Sequence, residues 1–326
     1  MARVVKVLSI DGGGVRGIVP AMLVAELEQR TGRNAADLFD LVVGASTGGV
    51  LALALARPGP DGRPECTAAE LIRLGRHEGR RTLTCPLLQG LYPGGPGPGG
   101  GRADRGRGAD PGRGAELFLA GRFGPTRLGE ALTDVLVTAY DVEHRRPFLF
   151  SSRDARARPG SDFRMCDVAR AATATRGYAA PARVRAGGQA GWLTLVDGAV
   201  FANDPAAWAL AEAARAHPDE QCGVLLVSLG TGRPRSPGGP AAPEPRRLLP
   251  SGGEGLRYYR LQTRLERGDE AVDDTRPEHV HELALRAETT IDEHDETLDR
   301  ICTELLGGSW AAYAEPALSA STSAAP

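Results

Sequence analysis

Apolar runs alternate with glycine-rich turns along the first third of the chain. Val4 to Ile10 (VVKVLSI) is rich in β-branched residues and predicts a buried strand. The turn Asp11 to Gly17 follows, then a helix from about Pro20 with Met22, Leu23 and Leu27 on its apolar face, ended by Gly32. Leu38 to Val43 predicts a second strand and Thr47 to Ala56 an apolar helix. Further on, Leu128 to Val137 has a helical pattern, while Pro147 to Ser151, Trp192 to Val196 and Val224 to Leu229 predict short strands. Pro277 to Leu306 is charged and amphipathic, with helical spacing. Strand, turn and helix repeated in this order predict an α/β fold, a mainly parallel sheet covered by helices.

Two stretches break the pattern. Tyr92 to Arg113 consists largely of Gly, Pro and Arg, and Pro234 to Gly255 is polar and proline-rich. The first buries too little apolar surface to offset its chain entropy and predicts a disordered surface insertion. The domain expectation is a core over residues 1–232, a C-terminal extension over 233–313 packed on it, and a disordered tail over 314–326. Leu38 to Ala56 approaches membrane-spanning length, but Asp40, Gly44, Ser46, Thr47, Gly48 and Gly49 interrupt it. A buried strand, tight turn and buried helix fit it better.

A formal net charge of -2 gives no reason to expect a nucleic-acid partner. Lys6 is the sole lysine among 39 basic residues, a bias that fits a GC-rich bacterial gene. Five scattered cysteines without C-x-x-C spacing read as free thiols in a reducing cytosol. They and the six histidines show no metal-ligand spacing, so no metal and no cofactor are expected. Met1 to Ile10 runs straight into a strand with no basic-then-apolar leader, which predicts a cytoplasmic protein.

Three motifs carry chemistry. Gly44-Ala45-Ser46-Thr47-Gly48 has the G-x-S-x-G form between an apolar run and a helix. Such an elbow lifts the serine hydroxyl clear of the sheet, and Gly44 and Gly48 let strand and helix pass closely. The helix that follows aims its free amides at developing negative charge. Gly12 to Gly17 satisfies G-x-G-x-x-G, the spacing of a dinucleotide site, yet the next strand leads to the serine elbow rather than to an acidic residue. The alternative is an oxyanion hole built from the amides of Gly12, Gly13 and Gly14. Asp197-Gly198 follows a strand, where α/β proteins build sites, although Asp-Gly is also a common turn.

D-G-G-G-x-R-G, G-x-S-x-G and D-G-A in this order resemble the patatin-like phospholipase family, with Val227 to Gly232 and Ala169 to Pro181 as supporting segments. The resemblance implies a three-layer α/β sandwich, a Ser–Asp dyad without histidine, and hydrolysis of acyl groups from phospholipids or other lipid esters. Lipid substrates would bring transient, peripheral contact with a membrane surface, although no strongly basic amphipathic helix announces it. It carries over Ser46 as nucleophile, Asp197 as its base, and Gly12, Gly13 and Gly14 as oxyanion-hole backbone. Arg16 fills the motif's basic position, as a structural ion pair or a substrate contact. Where the family reads A-x-P-x-Y-F-x-P, this chain has Ala174-Thr175-Arg176-Gly177-Tyr178-Ala179-Ala180-Pro181. An arginine stands for a proline and a small residue for an aromatic one, a departure that bears on acyl length and polarity.

Three rival readings remain at this stage. A Ser–Asp–His triad would draw on His279, His281 or His294, which lie in a charged helical stretch that favours solvated surface. An acyltransferase would use the same nucleophile and oxyanion hole. A nucleotide-binding module would use Gly12 to Gly17. Asn203-Asp204-Pro205 reads as a helix start, with Asp204 as N-cap and Pro205 as first helical residue.

Overall fold

The computed structural model describes residues 3–77, 80–91, 111–175, 179–185, 191–218, 222–234 and 255–308. The chain opens with β1 (Val4–Ile10), α1 (Ile18–Thr31), the single turn α2 (Ala35–Leu38), β2 (Leu41–Ala45) and α3 (Thr47–Ala56). An excursion follows: α4 (Ala68–Leu71), the antiparallel pair β3 (Arg73–His77) and β4 (Arg80–Thr84), α5 (Pro86–Leu91) and α6 (Pro111–Phe123). The chain returns as β5 (Asp134–Asp141), β6 (Arg146–Ser151), α7 (Ser152–Ala157), α8 (Met165–Ala172), β7 (Ala182–Val184) and β8 (Leu193–Asp197). It closes with α9 (Ala206–Ala216), β9 (Gly223–Leu229), β10 (Arg233–Pro234), β11 (Leu256–Leu261), β12 (Arg264–Leu265), α10 (Pro277–Glu293) and α11 (Asp295–Leu305).

The central sheet runs β11-β9-β1-β2-β5, all parallel, and continues through β8 and β7, with β6 also paired to β5. Alternation along the strands divides the core in two. Val5, Val7, Leu41, Val43, Leu136 and Leu226 point to one face and pack with Ala206, Ala209, Leu210 and Ala213 of α9. Leu8, Ile10, Val42, Val137 and Val227 point to the other, against α1, α3, α8 and α10. Because helices cover both faces, the strands are apolar almost throughout, as a doubly covered parallel sheet requires. The result is a three-layer α/β sandwich.

The register around β5 positions the site. β2 pairs with Asp134 to Thr138 and β8 with Ala139 to Asp141, while β6 pairs with Leu136 to Asp141. Since β6 overlaps both ranges, β2 and β8 must share the opposite edge of β5, one after the other. They run toward each other and end opposite Thr138 and Ala139 respectively. Ser46 therefore follows one strand end and Asp197 terminates the other.

Several expectations are corrected. Leu128 to Val137 is not a helix: a short turn over Leu128–Glu130 leads into β5. Its β-branched Val137 and Thr138 are held between two strand neighbours, and tertiary pairing overrides the local pattern. β11 (LRYYRL) had no apolar signature, yet it pairs with β9 along its length. The segment after Gly232 thus contributes a strand to the main sheet rather than only packing on it. α9 starts at Ala206, one residue later than expected, with Asp204 Oδ1 accepting the Ala206 amide at 3.0 Å. Most of the Gly/Pro/Arg insertion (92–110), the second loop (235–254) and the tail lie outside the described residues.

α3 is buried at every position, including Leu53 at 0% exposure, so it has no solvent face on which to accommodate change. Leu53→Ala is expected to lower stability by about 2–5 kcal/mol, because the packed sheet and helices cannot collapse around the vacancy. Urea unfolding followed by circular dichroism measures it; a loss well under about 1 kcal/mol would contradict this packing.

Candidate active site

β2 ends at Ala45, and the next residue, Ser46, takes φ 52° and ψ -126° before α3 begins at Thr47. Among the described residues only Ser46 and Arg145 have positive φ without being glycine. Strain of this kind costs of order 1–3 kcal/mol and persists only where the surroundings over-determine it. Here they do. A Cβ on Gly44 would run into the backbone of Gly48 and Gly49, and one on Gly48 into the carbonyls of Ile10 and Asp11. The Ser46 carbonyl accepts the amides of Gly49 at 3.0 Å and Val50 at 3.3 Å, which seats the elbow on the first turn of α3.

Ser46 Oγ donates to Asp197 Oδ2 at 2.7 Å. The same carboxylate oxygen accepts Thr175 Oγ1 at 2.6 Å, and Oδ1 accepts the Ala199 amide at 2.8 Å. Asp197 is 3% exposed and Ser46 5%. Burial pushes the Asp197 pKa up from the ordinary carboxylate value, and the hydrogen bonds from Thr175, Ala199 and Ser46 oppose that rise. Gly198 lets the chain turn away immediately, since a Cβ there would strike Thr138.

The glycine loop lies beside the elbow. Gly12 packs with no room for a Cβ between Asn203 and Ser46. Its carbonyl accepts Thr231 Oγ1 at 2.7 Å and Asn203 Nδ2 at 3.1 Å, and its amide donates to the Asn203 carbonyl at 3.0 Å. This corrects the expectation that three amides face the site, because the Gly12 N–H is already engaged. The Val15 amide donates to Val272 O at 2.8 Å. Gly13 and Gly14 are left with amides that have no partner among the described residues. Gly14 has φ +62°, and Val272 occupies the space its side chain would need. A phosphate cradle over Gly12 to Gly17 is poorly served, since the Gly12 and Val15 amides already donate within the protein.

Arg16 turns back on the loop, its Nε donating to Gly13 O at 3.3 Å. Burial lowers its pKa, opposed by the carboxylates of Glu270 and Asp11. The triad histidines do not reach the pair. His279 is buried at 7% exposure, contrary to the expected solvated surface, with Nε2 3.3 Å from Ala271 O, because α10 turns that face onto the core. His294 Nδ1 lies 2.9 Å from Thr290 O, and the buried His281 Nδ1 has no hydrogen bond. The described residues contain no cluster of three or more His, Cys, Asp and Glu suited to a metal.

Sequence reasoning missed Thr175, Asn203, Thr231 and Arg260. Thr175 stands where Ala174 O accepts the Asp197 amide at 3.2 Å, a contact with no periodic signature. Thr231 belongs to a segment already marked by its resemblance. Asn203 was assigned to a helix start. Arg260 pairs with Asp11 from a strand that the apolar pattern did not reveal. Residues 176–178, in the segment departing from the family pattern, lie outside the described residues.

A strained serine at a strand–helix elbow, its hydroxyl on a buried aspartate, defines the site class. The family model for patatin-like phospholipase matches residues 8–210, well over half of the chain. The chain belongs to the patatin-like phospholipase family. It is similar to patatin-like protein 2 of Arabidopsis thaliana, 30% identical over 268 residues covering 71% of this chain and 60% of that protein. It is also similar to patatin-17 of Solanum cardiophyllum, 31% identical over 255 residues covering 71% and 61%. The chain therefore spans about three fifths of the length of these relatives. Among solved structures, VipD from Legionella pneumophila aligns at 12% identity and a TM-score of 0.38, covering 92% of this chain and 67% of that one.

The raised Asp197 pKa has a thermodynamic consequence. A carboxylate whose folded pKa lies above its unfolded value weighs against the fold once it is ionised. Asp197→Asn keeps the shape and the hydrogen-bonding capacity without the charge. Its melting temperature is expected to equal or exceed that of the parent at about pH 8, with the gain disappearing as pH falls below the folded pKa. A variant less stable at high pH than at low pH, relative to the parent, would contradict the desolvation argument.

Proposed function

We propose that the protein is a lipid acyl hydrolase that cleaves carboxylic esters of phospholipids or related lipids through a Ser46–Asp197 dyad. One observation carries the reading: a serine strained to φ 52° with its hydroxyl 2.7 Å from a buried carboxylate. Ser46 Oγ attacks the ester carbonyl while its proton passes to Asp197 Oδ2. The tetrahedral oxyanion is stabilised by the Gly13 and Gly14 amides and the N-terminal end of α3. Collapse breaks the C–O bond, the leaving alcohol takes the proton from Asp197, and the acyl group stays on Ser46. Water then attacks with Asp197 again as base, releasing the fatty acid and restoring the serine.

An aspartate with the ordinary pKa of about 3.9 is a weak base for this task near neutrality. Desolvation raises its basicity, and the hydrogen bonds from Thr175, Ala199 and Ser46 oppose that rise. No helix among the described residues is long and apolar enough to cross a membrane.

Labelling with a fluorophosphonate tests the nucleophile. The parent protein is expected to label, Ser46→Ala not at all, and Asp197→Asn more slowly by roughly 100-fold or more. A parent that fails to label, or a Ser46→Ala variant that labels equally, would sink the proposal. Thr175→Val tests the base. It removes a hydrogen bond that lowers the Asp197 pKa, so the acid limb of the labelling rate should move to higher pH with the plateau retained. A limb that stays put or moves toward acid would mean Asp197 is not the titrating base.

A further inference from the structure

We infer that Arg260 is a positioning residue for the glycine loop: from edge strand β11 it grips Asp11, where the loop leaves the sheet, and so fixes where the Gly13 and Gly14 amides point. The inference rests on the acyl-transfer reading above. Arg260 Nη1 donates to Asp11 Oδ1 at 2.8 Å and Nη2 to Oδ2 at 2.5 Å, a two-pronged pairing that fixes orientation as well as distance. Nη1 also reaches Ser228 Oγ at 2.7 Å on the intervening strand β9, so the guanidinium is itself held in place. Asp11 is 4% exposed, and its own amide donates to Leu229 O at 3.0 Å. It is the last residue of this segment tied to the sheet before the loop begins.

Gly13 and Gly14 have no side chains with which to anchor themselves, so their orientation depends on what grips the loop on either side. Upstream the grips are Asp11 on Arg260, and Gly12 on Asn203 and Thr231. Downstream the grips are Arg16, whose Nε and amide donate to Gly13 O, and the Val15 amide on Val272. Arg260 and Val272 both lie beyond residue 210, where the family match ends. The C-terminal part of this chain therefore supports the hole that the family motif outlines. An ordinary structural ion pair would satisfy the same distances, but its loss would lower the melting temperature while leaving labelling and kcat of the folded protein unchanged.

The groups facing Asp11 are Arg260, Asp204, Arg233, Arg16 and the Tyr258 hydroxyl. Burial pushes the Asp11 pKa up to about 6, with Arg260 opposing the rise. Above that pH the carboxylate is charged and the pairing is at full strength. Below it Asp11 is neutral and the pairing weakens.

The experiment uses the full chain with Arg260→Gln, Arg260→Lys and Asp11→Asn. It reads the fluorophosphonate labelling rate of Ser46, kcat and KM on a p-nitrophenyl acyl ester, and the melting temperature. Arg260→Gln is expected to slow labelling and kcat roughly 10- to 100-fold with KM changed by less than about 3-fold, the signature of a misplaced transition-state contact. Arg260→Lys should fall between, since an ammonium restores charge without the fork. Asp11→Asn should show a deficit at about pH 8 that closes toward about pH 5, where the parent's Asp11 is itself neutral. Should Arg260→Gln fail to fold, the Lys variant and the pH-dependent ratio for Asp11→Asn carry the test. Folded variants that label at the parent's rate, or an Asp11→Asn deficit equal at every pH, would overturn the inference alone. A parent that does not label would overturn the acyl-transfer reading and this inference with it.

Discussion

Two strands meeting end to end on one edge of β5 set the geometry on which the rest of the structure depends. β2 and β8 arrive from opposite directions and stop at adjacent register positions, Thr138 and Ala139. A chain that stops there must turn sharply, because continuing would drive it into the other strand. On one side the turn is Ser46, strained and locked by α3; on the other it is Gly198, which has no room for a side chain against Thr138. Proximity of hydroxyl and carboxylate thus follows from sheet register rather than from flexible side chains finding each other. The strand that carries Asp197 sets its place, and Thr175 and the Ala199 amide fix the orientation of its carboxylate.

Burial raises the pKa of both aspartates of the site, but the two meet different partners. Asp197 is surrounded by neutral donors, Thr175, Ser46 and the Ala199 amide, so burial raises its pKa without a countercharge to hold the proton off. In the proposed reaction that is the group that accepts a proton and returns it. Asp11 is met by the Arg260 guanidinium, whose two hydrogen bonds keep the carboxylate in one orientation. A cation placed against Asp197 would make it a weaker base, and a neutral partner at Asp11 would hold the loop less firmly.

Legibility in the sequence followed the range of the interactions. β1 and α3 could be read to the residue, because β-branched runs and an all-apolar decamer leave little choice locally. The elbow was readable for a similar reason: Gly44 and Gly48 record a close approach of strand and helix in two letters. β5 was misread because its spacing also fits a helix, and only pairing with β2 and β6 decides the matter. β11 escaped notice because its tyrosines and arginines serve specific partners, Glu304 for Tyr259 and Asp11 for Arg260, rather than a greasy face. Thr175 was invisible for the same cause. A single hydroxyl directed at a carboxylate 22 positions away leaves no pattern.

The assignment of the Gly12 amide shows how geometry refines a motif without displacing it. Three consecutive glycines look like three equivalent donors, yet a loop whose every amide faced a ligand would have nothing to hold it. Here the first glycine is tied at both its amide and its carbonyl, to Asn203 and Thr231, and Val15 is tied to Val272. Among the described residues, only the amides of the middle two lack a partner. If the loop serves as the proposed oxyanion hole, its donors are held because their neighbours are engaged elsewhere, so little reorganisation would be needed as charge develops. The ties come from residues 203, 231 and 272, scattered over the second half of the chain. The motif near the N-terminus therefore becomes a site only once the whole sheet and its C-terminal edge have assembled.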